Sequence, residues 1–362
     1  MKTLTLTLAA TLMLTLASPA QQAGQGFGST KLAPGAPAPL LTDIEMLKGE
    51  APGEWQPGHV YVLDFWATWC APCIDSIPHM SSIQRRFADQ NVHVIGTAIW
   101  PRKGMTPTRE FVTDYDELMQ YSVAMDVGRR TGRDFMEAAG QYGIPFVMVV
   151  DGEGKIAWMG HPMDDLEGVL KEVVDGDFDR VAYEARKKER MDQADVLFKE
   201  FQAAVQVQDW TVLADITEQM VQLDPGMFGQ FAFYHYVALE RMGLKEKAAS
   251  YGRVAVETTL HDKLADLERI AWLIVDPRTE QTAEERDLDL ALMAAQRADV
   301  LTRHKHPSVL DTLARVHFLK GHLDEAVELQ RRAVVSVEDG ALRTQLQGRM
   351  DEYLRARDAE DT

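Results

Sequence analysis

The sequence predicts two domains of different class: an α/β unit with a central mixed sheet and flanking helices, then an all-α helical array. Short apolar runs alternate with helical segments up to about Asp175. Beyond it the β signals stop, and from about Arg180 the chain is rich in Ala, Leu, Glu, Gln, Arg and Met at helical spacing. Small residues also recur there at fixed offsets. A length of 362 residues agrees with two domains.

Residues 1–20 read as an export signal peptide. Lys2 is the positive n-region, Leu4 to Ala17 is apolar and diluted by threonines, and Ser18-Pro19-Ala20 places small residues at a cleavage site. The run is too short to span a bilayer, and no other segment reaches the roughly 18 apolar residues required. The expected product is exported, periplasmic or extracytoplasmic, and soluble after cleavage. The alternative is an uncleaved membrane anchor. Residues 21–37, rich in Gln, Gly, Ala and Pro, read as a flexible lead-in.

The α/β domain is expected over residues 38–176. Val60 to Trp66 is a near-continuous apolar run, as in a strand covered on both faces. Ala71 to Gln90 reads as a helix kinked at Pro78. Val92 to Ile99 is a second core strand. Thr106-Pro107-Thr108-Arg109-Glu110 predicts a helix start, with Thr106 as cap and Pro107 first in the helix. Phe146–Val150 and Lys155–Met159 flank Asp151-Gly152-Glu153-Gly154, a hairpin signal. Asp164 to Val174 closes the domain as a helix, with Asp164-Asp165 favouring its start.

Residues 177–194 read as a connecting helix, 195–357 as helical repeats and 358–362 as an acidic tail. Gly243, Ala248 and Ala255 show the same offsets, five then seven, as Gly321, Ala326 and Ala333. Asp209, Ala214 and Val221 repeat them without the glycine. Ala214 to Ala248 is 34 residues, and Ala248 to Ala326 is 78, or two such periods plus an insertion of ten. The insertion is expected around Pro277 to Glu285, with Ala291 and Ala298 in a degenerate third unit. This period and spacing resemble the tetratricopeptide repeat, which implies partner binding. Glycine and alanine are expected to let paired helices approach closely. Gln345 to Arg357 reads as a polar capping helix. The rival is a plain helical bundle.

The formal net charge is −18, and −19 once Lys2 is removed with the signal. Nucleic acid is therefore excluded as a partner, because binding it depends on phosphate neutralisation. The two cysteines, Cys70 and Cys73, stand three apart behind the Val60–Trp66 run. One reading is a structural staple, but so short a loop contributes only about 2 kcal/mol on the chain-entropy model. Zinc wants four ligands and no second pair exists, so no metal or other cofactor is expected. Met80, Met105, Met148 and Met159 read as core filler before soft-metal ligands.

A strand that delivers Cys-x-x-Cys to a helix start presents a working dithiol. Cys70 is expected exposed at the helix N-terminus, where free N–H groups and the macrodipole favour a thiolate. Cys73, one turn on and more buried, would resolve a mixed disulfide. Asp64, six residues before Cys70, is the candidate acceptor for the Cys73 proton, since burial raises a carboxyl pKa into the useful range. Its alternative is a strand-end carboxylate facing water. Gly143-Ile144-Pro145-Phe146 is the candidate docking edge, with a cis peptide before Pro145. Trp69, Ala71, Pro72, Ile144 and Pro145 are expected to touch substrate, with Trp66 in the core.

Asp64-Phe65-Trp66-Ala67-Thr68-Trp69-Cys70-Ala71-Pro72-Cys73, Ile77-Pro78, Tyr142-Gly143-Ile144-Pro145 and Val150-Asp151-Gly152-Glu153-Gly154-Lys155-Ile156 together carry a resemblance. Residues from about Lys31 to Asp175 resemble the thioredoxin superfamily and, within it, exported TlpA/ResA-like thiol–disulfide oxidoreductases. The resemblance implies a nucleophile at Cys70, a resolving Cys73 and a cis-proline at Pro145. Three departures stand out. Asp64 replaces an asparagine frequent in that family, no lysine lies along Val92 to Trp100, and Ser76 replaces a frequent glutamate.

The neutral Ala71-Pro72 between the cysteines offers no cation to stabilise a thiolate, which favours a reductant over a strong oxidant. The expected partners are a disulfide-containing or thiol client protein, a membrane or extracytoplasmic electron donor, and a protein bound by the repeats. The alternative from another class is a repeat-based cell-envelope scaffold or interaction protein with an accessory redox domain. A thiol peroxidase fits less well, for want of a Thr/Ser-x-x-Cys setting with a placed arginine.

Overall fold

The computed structural model describes residues 32–338 and 340–360. The signal peptide expected over residues 1–20 lies outside the described residues, as does most of the lead-in. Six strands form one mixed sheet: β1 (Ile44–Lys48), β2 (Val60–Trp66), β3 (Val92–Ala98), β4 (Ser122–Asp126), β5 (Phe146–Val150) and β6 (Ile156–Gly160). Their order is β1-β4-β3-β2-β5-β6. The β2/β3 and β3/β4 pairs are parallel and the other three antiparallel. Valines and aromatics make up most of β2, and all seven of its residues are buried.

Side chains alternate across β2 and build a core on each face. On one face Val62, Trp66 and Val94 pack with residues of α1 (Ala71–Phe87), α2 (Thr108–Asp114) and α3 (Leu166–Asp175). On the other, Leu63, Phe65 and Ile95 pack with Leu32, Leu41 and the π-helical turn Gly132–Glu137. Helix α1 runs from Ala71 through Pro78 to Phe87 as one element.

Two expectations are corrected here. Residues 32–37 are not a flexible lead-in: Leu32 N–H donates to the Ala138 carbonyl, Gly35 N–H to that of Ile156, and Pro37 bridges to Lys155. The helix expected from Thr106 begins at Thr108, with Pro107 at the cap position and no capping side chain. The Thr106 carbonyl is held outside the helix, where it accepts from Thr68 Oγ1 at 2.9 Å.

Helices fill the second half: α4 (Arg180–Val207), α5 (Trp210–Leu223), α6 (Pro225–Phe228), α7 (Phe231–Arg241), α8 (Lys245–Glu257), α9 (Leu264–Val275), α10 (Leu288–Leu301), α11 (Pro307–Leu319), α12 (Leu323–Val335) and α13 (Ala341–Glu360). Contacts join α4 to α5, α7 to α8, α9 to α10 and α11 to α12, and α13 packs on α12. Ala248, Ala255, Ala291, Ala298, Ala326 and Ala333 are all buried in these contacts.

Gly243 and Gly321 do not serve close packing, as expected, but sit in the turns at φ +75° and +79° with open space where a Cβ would go. Left-handed backbone is what those positions require of glycine. The close approach occurs instead at Gly252, where a Cβ would lie 2.6 Å from Leu290 Cδ2. Pro277 to Glu285 lies in the connection between α9 and α10.

The boundary expected at residue 194 falls inside the unbroken 28-residue helix α4. Similarly, α13 continues through Glu360, into the segment expected as an acidic tail. Tyr183 on α4 is buried in the α/β core, edge-on to Trp158 and beside Phe178. Lys187 pairs with Asp164 at 2.8 Å and Arg190 with Asp165 at 3.0 Å. Farther along, Val300 and Leu301 of α10 pack on the same core, and Arg303 lies over Tyr115 and pairs with Asp114 at 3.3 Å.

Tyr183 therefore belongs to the α/β core although it lies on a helix of the second half. Tyr183→Ala is expected to cost about 3 kcal/mol, as for other buried aromatics. Urea unfolding followed by tryptophan fluorescence checks this. An unchanged midpoint contradicts it.

Candidate active site

The loop after β2 ends at Cys70, which caps α1 in extended backbone (φ −96°, ψ 96°). Cys70 and Cys73 are joined as a disulfide with Cα atoms 5.2 Å apart. Cys73 N–H points at Cys70 Sγ at 3.3 Å, so the helix N-terminus faces that sulfur. No acidic residue occupies the first turn of α1 to oppose a thiolate there. Cys73 is more buried than Cys70, with 1% against 4% exposure.

The expected exposure of Cys70 is thus corrected. Its sulfur lies 3.6 Å from the Ile144 carbonyl oxygen, and the neighbouring peptide Ile144-Pro145 is cis. Pro145 is buried and Ile144 half-buried. Ala71 and Pro72, in the first turn of α1, are exposed.

Asp64 is 2% exposed, midway along β2 and opposite Gly96 and Val147 on its two neighbours. A strand-end carboxylate facing water is therefore ruled out. Its Oδ1 has no hydrogen-bond partner among the described residues. Burial raises its pKa to about 7.

Trp69, expected to touch substrate, is half-buried. Its Nε1 donates to the Trp100 carbonyl at 2.8 Å, and the Arg102 guanidinium lies 3.4 Å from its ring centroid. One ring face is therefore taken by a cation. Trp66 is in the core as expected. Ser76 Oγ donates to the Cys73 carbonyl at 2.8 Å, while desolvation raises the pKa of its neighbour Asp75. Met80 and Met148 are core residues and Met105 is exposed. Among the described residues no group of three or more His, Cys, Asp or Glu is placed to hold a metal.

Two residues at the site had no sequence signal. Arg102 lies in the loop between β3 and α2, far along the chain from the cysteines. Tyr121, just before β4, is buried on the same face of the sheet as Asp64.

Residues 51–159 match the sequence profile of the AhpC/TSA family. Protein FixW of Rhizobium leguminosarum is 25% identical over 207 residues, 53% of this chain and 91% of that protein. Thiol-disulfide oxidoreductase ResA of Bacillus thuringiensis is 28% identical over 159 residues, 41% of this chain and 84% of ResA. Among solved structures, the thioredoxin domain of a thiol-disulfide oxidoreductase from Bacteroides vulgatus aligns at 25% identity and a TM-score of 0.33. It spans 40% of this chain and 99% of that one. The α/β unit is a thioredoxin-like domain, and thiol–disulfide oxidoreductases are among its relatives.

A buried carboxyl whose pKa is raised to about 7 destabilises the fold at every pH above its unfolded value, because the unfolded chain gives up that proton more easily. Its folded pKa lies above the unfolded one, so its cost is absent below about pH 4 and grows as pH rises through 7. Asp64→Asn is accordingly expected to add up to about 4 kcal/mol at pH 8 and almost nothing at pH 4. Urea titrations at the two pH values check this. An equal effect at both places the Asp64 pKa in the ordinary range.

Proposed function

We propose that this chain, a thiol–disulfide oxidoreductase of thioredoxin type, is exported and reduces disulfides in extracytoplasmic client proteins. One observation carries this: the Cys70–Cys73 pair joins a helix N-terminus to the Ile144-Pro145 carbonyl edge, in a domain whose β2 buries a carboxylate titrating near 7. In the reduced state the Cys70 thiolate attacks a client disulfide and expels one client thiolate. Cys73 gives its proton to Asp64, and its sulfur attacks Cys70. The bond from Cys70 to the client breaks, and the second client sulfur leaves as a thiolate. The product is the intramolecular disulfide, which an electron donor must reduce.

The client strand is taken to lie along Ile144 and Pro145, against exposed Ala71 and Pro72 and beside half-buried Trp69. The neutral Ala71-Pro72 pair supports the reducing direction. The paired helices, with buried alanines at a fixed offset, support a tetratricopeptide-like array that binds a protein partner. Among the described residues no helix is long and apolar enough to cross a membrane.

Cys70→Ser is expected to abolish reduction of insulin disulfides. Cys73→Ser should instead accumulate a client-linked species, visible on non-reducing gels and released by dithiothreitol. Wild-type turnover in both variants would remove the enzymatic reading. A reduction potential near about −120 mV, that of a strong oxidant, would reverse its direction.

A further inference from the structure

Among the described residues, the buried polar atoms without partners on the α1 side of the sheet include Asp64 Oδ1, Trp66 Nε1 and Tyr121 OH, which gather around Gly96. Asp64 and Trp66 are two apart on β2 and so share a face. Gly96 is the register partner of Asp64 on β3. A Cβ on Gly96 would lie 2.8 Å from Tyr121 Cε2 and 3.3 Å from Trp66 Nε1. The bare glycine is therefore what lets the phenol ring and the indole N–H reach the strand beside Asp64. Thr97 Oγ1 is also buried without a partner, but its alternation along β3 puts it on the opposite face.

The three groups are complementary. An ionised carboxylate only accepts, an indole N–H only donates, and a phenol can donate. Tyr121 is 5% exposed, and burial together with the Asp64 charge holds its pKa well above the ordinary range, so it stays a protonated donor. Of the elements around Asp64, β3 presents Gly96 and β5 presents Val147, neither titratable. Helix α1 brings Cys73 to the same core, and the segment before β4 brings Tyr121.

We propose that Tyr121 is the positioning residue for Asp64, its O–H acting with the Trp66 N–H as the donor side of the buried base. This rests on the role proposed above for Asp64. The proton passes from Cys73 Sγ to the Asp64 carboxylate as the Cys73–Cys70 bond forms and the client thiolate leaves. Tyr121 keeps its own proton throughout and orients the carboxylate that receives the other. A neutral donor suits this work better than a lysine, since it holds the ionised form without the strong downward pull of a cation on the pKa.

The test is the pH profile, from pH 5 to 9, of client release from the mixed disulfide in the full chain. Removing a donor destabilises the ionised carboxylate. Tyr121→Phe is therefore expected to move the profile up by about one pH unit and slow release at pH 7 by about five-fold. Trp66→Phe should move it the same way and serves if the first variant fails to fold. Asp64→Asn should flatten the profile, and adding Tyr121→Phe to it should then change nothing more. The proposal is overturned if Tyr121→Phe keeps the wild-type profile, or slows the Asp64→Asn variant as much as the wild type. If Asp64→Asn itself keeps the wild-type profile, the role of Asp64 falls, and the inference with it.

Discussion

Burial of one carboxylate in the middle of a central strand governs this site. Strand β2 is paired on both edges and covered on both faces, so Asp64 cannot turn to water. Such a charge is costly unless it is neutralised or given donors. Neutralisation comes through a raised pKa, and the indole N–H of Trp66 and the phenol of Tyr121 are buried unpaired on the same face. The same strand ends in the loop that places Cys70 at the start of α1. Asp64 and the dithiol are thus separated by only the end of β2 and a short loop, six residues of chain from Asp64 to Cys70.

The helical array is built onto this domain and not merely tethered to it. Helix α4 carries Tyr183 into the α/β core and continues into the first helical pair without a break. Charged pairs surround that anchor, but partly exposed ion pairs contribute little each, and the apolar contact dominates. A second contact, through Val300, Leu301 and Arg303, ties α10 back to the same domain. His79 of α1 is half-buried and feels the charges of Asp262 and Lys263 in the α8–α9 connection, and desolvation lowers its pKa. These contacts hold the helical half against the domain that carries the dithiol.

Local chemistry was legible from residue order. The apolar run before the cysteines, the cap position of Cys70, the Asp-Gly-Glu-Gly hairpin and the alanine offsets each report a short-range constraint, and short-range constraints are written in neighbouring residues. The spacing of Gly243 and Gly321 does not distinguish a left-handed turn from a close contact, because the same offsets serve either. Only backbone angles separate the two. Glycine 252, which does sit at a close contact, carried no repeat signal.

The sequence by itself determined the dithiol, the strand that delivers it, the change from α/β to all-α and a buried-carboxylate candidate. Tertiary structure alone decided which side chains meet there. Arg102 reaches Trp69 because the β3–α2 loop is tied back to the Cys70 loop by Thr68 and Trp69 hydrogen bonds. Tyr121 reaches Asp64's face because Gly96 leaves the space. Both depend on residues distant in the chain becoming neighbours in a parallel sheet, where crossover connections separate adjacent strands in sequence. That separation hides such contacts from any periodicity or spacing.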